Sequence, residues 1–179
     1  MNDFEIEILK TLSDFLTNNV LDFIFVLISK LGNKGMLWII ASLVMCVVPK
    51  TRKAGICTAI SLVLCFLIGN SILKPLFART RPYDFDSSLR VIIPLLKDGS
   101  FPSGHTLAAF AFSYSLGSVY KKARPYLYTF AFLMGFSRIY LCVHYPTDVI
   151  SGAAFGIILG MFACKIYTLA TRRIITNEK

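Results

Sequence analysis

The feature that most constrains the fold is a series of long apolar stretches joined by short polar connections. The clearest of them, from Ala54 to Leu73, contains no charged side chain. A helix of about 20 apolar residues crosses a bilayer and satisfies its own backbone hydrogen bonds there. Of the 179 residues 55% are hydrophobic and only 16% are charged, which excludes a soluble domain of this size.

Six stretches are predicted to span the membrane, and one helix is predicted before them. The spans cover about Leu16–Leu31, Met36–Val48, Ala54–Leu73, Pro102–Tyr120, Tyr126–Val143 and Thr147–Ala170. Ahead of the first, Phe4, Ile8, Leu12, Phe15 and Leu16 recur at helical spacing between charged residues, as in an amphipathic helix at the membrane interface. We therefore predict an all-α fold in which residues 1–179 form one domain, an integral membrane bundle of six transmembrane helices with an N-terminal amphipathic helix.

The ends of the chain and of its helices carry further signals. Pro102 and Pro146 each suit the first position of a helix, where a missing N–H costs little. The acidic start does not resemble a cleaved signal peptide, so the first helix is expected to remain in the mature protein. Thr171 to Lys179 is predicted to be a polar, mobile tail.

Small residues recur every four positions on two of the predicted spans. The sixth span carries Gly152, Gly156 and Gly160, and the fourth carries Ala109, Ser113 and Gly117. Such faces allow close helix packing, either inside one bundle or between two chains. The repeats therefore leave the oligomeric state undetermined.

The distribution of basic residues predicts the orientation in the membrane. The formal net charge is +9, which in so apolar a chain indicates anionic lipid or an anionic substrate rather than nucleic acid. One face carries Lys50, Arg52, Lys53, Lys121, Lys122, Arg124, Arg172 and Arg173. By the positive-inside rule this face, together with both termini, is expected on the cytoplasmic side of the cell membrane.

Counting the spans places three polar clusters together on the opposite, extracytoplasmic face. They are residues 74–82, 102–105 and 137–148. The connection between the third and fourth spans is long for so small a protein, which indicates a functional role. Lys74, Arg81 and Arg138 can be interpreted as anchors at span ends, but a shared anionic ligand explains their convergence better.

The chain has only two histidines, His105 and His144, and both are predicted on this face. Asp148 follows His144 by four residues, a position from which a carboxylate can fix the tautomer and orientation of an imidazole. Ser103 and Gly104 lie at the predicted first turn of the fourth span, where free N–H groups and the helix dipole favour an anion.

These residues supply what phosphoryl transfer requires. Such a transfer needs cations that hold the phosphate oxygens, an oriented nucleophile, and an acid for the leaving oxygen. A His-Asp-His metal site is the main chemical alternative, but the surrounding cations would oppose a divalent ion. We therefore predict no metal and no cofactor.

Three motifs resemble those of the type 2 phosphatidic acid phosphatase family, the superfamily of lipid phosphatases and vanadium haloperoxidases. The first motif is Lys74, six residues, then Arg81-Pro82. The second is Pro102-Ser103-Gly104-His105. The third is Ser137-Arg138, five residues, His144, three residues, then Asp148. All signature positions match in order and spacing, and the six-span reading covers nearly the whole chain.

The resemblance implies a role for each matching position. His144 becomes the nucleophile that forms a phosphohistidine, Asp148 orients it, and His105 protonates the leaving oxygen and then activates water. The residues that hold phosphate become Lys74, Arg81, Ser103, Gly104 and Arg138. Arg79, Tyr83, Asp84 and Lys97 lie outside the signature positions and are expected only as headgroup contacts.

The expected activity is removal of a terminal phosphate from a lipid phosphate or diphosphate. Undecaprenyl diphosphate is the favoured substrate, and phosphatidylglycerol phosphate and phosphatidic acid are the alternatives within the family. A phosphotransferase that passes the phosphate to another lipid also fits the motifs. An anion or lipid transporter is the alternative of another class, although transporters commonly carry internal repeats and broken helices at the membrane midplane.

Overall fold

The structure is a computed structural model that describes residues 2–177, with side chains described for residues 3–172. Within this part of the chain every regular element is a helix, which confirms the predicted all-α class. The helices are α1 Asn2–Leu16, α2 Asn19–Leu31, α3 Met36–Val47, α4 Arg52–Leu64, α5 Lys74–Phe77, α6 Pro82–Phe85, α7 Gly104–Val119, α8 Arg124–Tyr140 and α9 Pro146–Asn177. A π-helical segment, Cys65–Leu73, joins α4 to α5, and short 3-10 turns occupy Asn33–Gly35 and Lys121–Ala123.

The helix ends partly follow the predicted signals. Pro146 is the first residue of α9, as predicted. Pro102 does not begin α7, because the helix starts at Gly104 with Ser103 as its N-cap. Helix α9 continues through Asn177, whereas a polar tail was predicted from Thr171; Glu178 and Lys179 lie outside the described residues.

Helices α2 and α3 together cross the bundle once. They meet at an angle of 43°, at a turn where Lys34 and Gly35 have positive φ values of 52° and 68°. Near the start of α2, Asp22 accepts a 2.7 Å hydrogen bond from Tyr140, the last residue of α8. Beyond α3, the Lys50 carbonyl accepts a 3.1 Å hydrogen bond from Tyr120 at the other end of the bundle. The predicted spans Leu16–Leu31 and Met36–Val48 therefore form one bent crossing rather than two.

The number of membrane crossings is consequently not confirmed. Among residues 2–177, two helical stretches, Arg52–Phe85 and Pro146–Arg172, are long and apolar enough to cross a membrane, and α2 with α3 makes a third. Helices α7 and α8 have 16 and 17 residues, which is fewer than the roughly 20 residues of a typical membrane span. The apolar helices support a membrane protein, but they do not confirm the predicted count of six spans.

Helix α1 lies at the same end of the bundle as the connection between α8 and α9. Its buried residues Ile6 and Leu9 pack against Leu89 and Tyr145, while Phe4 and Phe15 on its other side are 69% and 83% exposed. The predicted position of the N-terminal segment, opposite the polar clusters, is therefore wrong for α1. An interfacial position for α1 in the membrane stays a prediction.

The glycine repeat of α9 packs against the backbone of α7. A Cβ atom at Gly152, Gly156 or Gly160 would lie 2.9, 2.5 or 2.9 Å from the carbonyl oxygens of Ser103, Leu107 and Ala111, respectively. The repeat therefore serves helix packing inside one chain, which is the first of its two interpretations. This contact fixes the first turn of α7 beside the start of α9.

Candidate active site

The third motif places His144 and Asp148 on either side of the start of α9. The Nδ1 atom of His144 lies 3.5 Å from Oδ2 of Asp148. The same oxygen accepts hydrogen bonds from the hydroxyl of Ser100 at 2.5 Å and from the backbone N–H of Tyr145 at 2.9 Å. The carboxylate is fully buried and fixed by these donors, so it can fix the imidazole in turn.

The second nitrogen of His144, Nε2, faces the cation of the first motif. It lies 3.4 Å from Nη1 of Arg81, and the histidine is only 2% exposed. The pKa of His144 is lowered to about 3, chiefly by burial; the hydrogen bond with Asp148 opposes this shift, and the charges of Arg81 and Arg138 add to it. A neutral imidazole keeps a lone pair for nucleophilic attack at physiological pH.

Arg81 and Lys74 meet on one carboxylate, that of Asp98. Arg81 donates from Nη2 to Oδ1 of Asp98 at 2.7 Å and from Nε to its backbone oxygen at 2.9 Å, and Lys74 pairs with Oδ2. Burial raises the pKa of Asp98, but Lys74 and Arg81 outweigh it and bring this pKa to about 2. The two predicted phosphate-binding cations therefore already hold an anionic group.

Arg138 is the third cation of the site. It is 1% exposed, donates from Nη1 to the hydroxyl of Ser29 on α2, and acts electrostatically on Lys74 and His144. Its Nε atom is buried and has no hydrogen-bond partner among the described residues. A buried donor without a partner is costly, and an anionic ligand would satisfy it.

The second motif brings His105 to the same end of the bundle. Its Nε2 atom lies 3.3 Å from Oδ1 of Asn33, in the turn between α2 and α3. The positive charges of Arg138 and Lys74 act on His105, so it shares the electrostatic environment of these cations. This position is consistent with the predicted acid role but does not test it.

Ser103 and Gly104 occupy the start of α7 in different ways. The hydroxyl of Ser103 is 2.9 Å from that of Thr106, and its backbone N–H donates to the Asp148 carbonyl at 3.1 Å. Among the described residues no side chain caps the first turn of α7, which leaves the helix dipole available to an anion. The Ser103 hydroxyl is thus engaged within the helix, and Gly104 lies near Asn70.

Arg79 is placed differently from its expected headgroup contact. Its Nη1 atom lies 2.6 Å from Oδ1 of Asp148, and its Nη2 atom lies 2.5 Å from Oε2 of Glu5 on α1. Tyr83 also has an internal role, because its buried hydroxyl bonds to the backbone N–H and C=O of Leu96. Asp84 and Lys97 are exposed, and their expected role stays a prediction.

Several polar residues that contact the predicted site were not predicted from the sequence. They are Glu5, Ser29, Asn33, Asp98 and Ser100. Each is a polar residue of a common type without a motif around it. The weak available signal is position, since Asp98 and Ser100 lie in the long connection that the sequence had marked as functional.

The fold and the site together define a membrane-type helical bundle that gathers three cations and two histidines at one end. The chain belongs to the PAP2 superfamily, whose family model matches residues 50–172. The resemblance inferred from the three motifs is thereby confirmed.

Individual relatives agree with this membership. The chain is 32% identical to an undecaprenyl-diphosphatase of Sulfolobus acidocaldarius over 86% of this chain and 73% of that one. It is 33% identical to the undecaprenyl-diphosphatase BcrC of Bacillus subtilis over 80% of this chain and 73% of that one. Both relatives are named as undecaprenyl-diphosphatases.

Two solved structures share the fold. The crystal structure of Aquifex aeolicus LpxE superposes with a TM-score of 0.78 at 29% identity, covering 89% of this chain and 93% of that one. A transmembrane PAP2-type phosphatidylglycerolphosphate phosphatase from Bacillus subtilis gives a TM-score of 0.75 at 25% identity, covering 92% and 84%.

Proposed function

We propose that this protein is an integral membrane lipid phosphatase that hydrolyses the terminal phosphate of a lipid phosphate or diphosphate. The observation that carries the proposal is the position of His144, with Asp148 at Nδ1 and Arg81 at Nε2. A buried neutral imidazole between a carboxylate and a cation suits attack on a phosphorus atom that the cation holds.

The proposed reaction has two steps. In the first, Nε2 of His144 forms a bond to phosphorus, the bond to the leaving oxygen breaks, and His105 gives that oxygen a proton. In the second, His105 takes a proton from water as the water oxygen attacks the phosphohistidine, which releases inorganic phosphate and free His144. Lys74, Arg81 and Arg138 neutralise the phosphate oxygens in both steps, so we propose that no metal is needed.

Apolar surface beside Lys74 supports a lipid substrate. Ile72, Leu76 and Phe77 are 56%, 72% and 55% exposed next to this cation. A recess of about 510 Å³ opens here, lined by Asn70, Lys74, Pro75, Ala78, Asp98 and Gly99. A phosphate on an acyl or polyprenyl tail can reach the cations from this side while its tail stays in the bilayer.

Undecaprenyl diphosphate is our preferred substrate, because two relatives matched over most of this chain carry that activity in their names. Phosphatidylglycerol phosphate is the second candidate, since a structural relative is named as its phosphatase. Transfer of the phosphate to a lipid acceptor is the alternative reaction of the same site.

We further propose that the site faces the outside of the cell membrane. Lys50, Arg52 and Lys121 are exposed near the opposite end of the bundle, where the Lys50 carbonyl meets Tyr120. This basic end is suited to the cytoplasmic surface.

The test is phosphate release by the purified protein in detergent, from undecaprenyl diphosphate, phosphatidylglycerol phosphate and phosphatidic acid, with EDTA present. We expect release from at least one lipid and its loss in a folded His144→Ala variant, and kcat/KM ranks the substrates. No release from any lipid, in detergent or in liposomes, would contradict hydrolysis. Release that EDTA abolishes would contradict the metal-free mechanism alone.

A further inference from the structure

The two oxygens of the Asp148 carboxylate have different partners. Oδ2 faces His144, Ser100 and the backbone N–H of Tyr145. Oδ1 accepts a 2.6 Å charged hydrogen bond from Nη1 of Arg79. The orientation of the carboxylate is therefore set from both sides.

Arg79 is in turn held by the N-terminal helix. Its Nη2 atom lies 2.5 Å from Oε2 of Glu5, and its guanidinium carbon lies 3.9 Å above the centre of the Tyr145 ring. One cation thus bridges two buried carboxylates, those of Glu5 and Asp148. Buried charges with this many partners are strongly oriented, because each alternative geometry leaves a charge unpaired.

Thr147 closes the network between α1 and the first turn of α9. The Oε1 atom of Glu5 accepts hydrogen bonds from the backbone N–H of Thr147 at 2.9 Å and from the hydroxyl of Thr147 at 2.7 Å. The same hydroxyl oxygen is 2.7 Å from Nη1 of Arg79. Glu5 therefore contacts both the arginine that holds Asp148 and the residue that precedes Asp148 in the chain.

We propose that Glu5 and Arg79 are positioning residues, which hold Asp148 in the orientation that fixes the ring of His144; the catalytic part of this inference rests on the proposed function. Glu5 lies on α1, outside the residues 50–172 that the family model matches. Helix α1 is then a working part of the active site.

A purely structural role for these contacts predicts a different result. Helix α1 is also attached by the packing of Ile6 and Leu9 and by an ion pair of 2.6 Å between Lys10 and Asp86. Glu5→Gln preserves the shape and the Oε1 acceptor for Thr147, and it replaces the charged acceptor Oε2 opposite Arg79 by an amide NH2 group. A positioning role lowers kcat with KM nearly unchanged, whereas loosened packing lowers thermal stability and substrate affinity together.

The kinetic test compares Glu5→Gln with Glu7→Gln, an exposed glutamate on the same helix. We expect Glu5→Gln to lower kcat about tenfold, as for other groups that orient a functional histidine, with KM within about twofold. Glu7→Gln should match wild type, and Arg79→Lys should retain more activity than Arg79→Gln. Equal kcat values for Glu5→Gln, Glu7→Gln and active wild type would overturn the proposal.

A spectroscopic test decides the proposal without any enzyme assay. With only two histidines in the chain, ¹⁵N-histidine labelling gives ring signals from His105 and His144, which a His105→Gln variant assigns. We expect the His144 Nδ1 proton signal, hydrogen-bonded to Asp148, to shift or broaden in Glu5→Gln and Arg79→Gln and to stay in place in Glu7→Gln. An unchanged signal in folded Glu5→Gln and Arg79→Gln protein would overturn the proposal, whereas a wild type inactive on every lipid would overturn only the proposed function.

Discussion

Asp98 forms an ion pair with Arg81, in which Oδ1 of Asp98 lies 2.7 Å from Nη2 of Arg81. Arg81 is a cation that is expected to bind phosphate. The second carboxylate oxygen of Asp98 pairs with Lys74, another such cation. The Asp98 side chain is 54% exposed, so it can leave the site for solvent. Under the proposed function, a substrate phosphate competes with a carboxylate of the protein itself.

Replacing Asp98 by Asn should strengthen phosphate binding. The variant keeps the backbone oxygen that accepts from Arg81 and removes the competing charge. Partly exposed ion pairs contribute about 1 kcal/mol or less, so we expect KM and the inhibition constant of inorganic phosphate to fall about fivefold. Steady-state kinetics measure both, with Asp14→Asn, at an exposed aspartate of α1, as control. An unchanged or higher KM would show that Asp98 organises the cations instead of competing for them.

The stability of the protein should depend on pH through His144. The pKa of His144 is about 3 in the folded protein, against 6.5 for an ordinary histidine. Between these two pKa values the unfolded state binds more protons than the folded state. The free energy of unfolding therefore falls as the pH falls from about 6.5 towards 3, by about a few kcal/mol in total. In detergent, the Tm of wild type should therefore fall more than that of His144→Gln when the pH is lowered from 7 to 5. A difference in Tm between the two proteins that is independent of pH would contradict the buried neutral state.

Inorganic phosphate should stabilise the wild-type protein through Arg138. The buried Nε atom of Arg138 lacks a partner among the described residues, and a bound anion supplies one. We expect phosphate to raise Tm in wild type and to raise it less in Arg138→Gln. Arg90→Gln is the matched control, since Arg90 pairs with Asp22 and is exposed. An equal phosphate shift in wild type and Arg138→Gln would place the anion elsewhere.

Two substitutions in the glycine repeat separate packing from activity. A Cβ atom at Gly152 would lie 2.9 Å from the carbonyl oxygen of Ser103, the N-cap of α7. A Cβ atom at Gly160 would lie at the same distance from the carbonyl oxygen of Ala111 within α7. Each alanine variant should cost about 1–3 kcal/mol of stability through overpacking. Gly152→Ala should lower kcat/KM more than Gly160→Ala, because only the first displaces the start of α7 beside His105. Similar activity losses at similar Tm would show that the loss follows stability alone.

The sequence determined the helical class and the family. An uncharged stretch such as Ala54–Leu73 has few alternatives to a helix, because the backbone must satisfy its hydrogen bonds within the apolar segment. The three motifs likewise identified the family, and they specify which cations and imidazoles the site can use. His144 and Asp148 are four residues apart, so local geometry alone brings them together.

Only the tertiary structure decided how the elements combine around those residues. The turn at Lys34 and Gly35 joins two predicted spans into one bent crossing, and its direction depends on packing of α2 and α3 against α8 and α7. Arg79 pairs with Glu5, although most of the N-terminal half of the chain separates them in the sequence. No sequence pattern around either residue predicts this pair. Such pairs form because burial leaves each charge with few possible partners, and the folded backbone selects which of them is within reach.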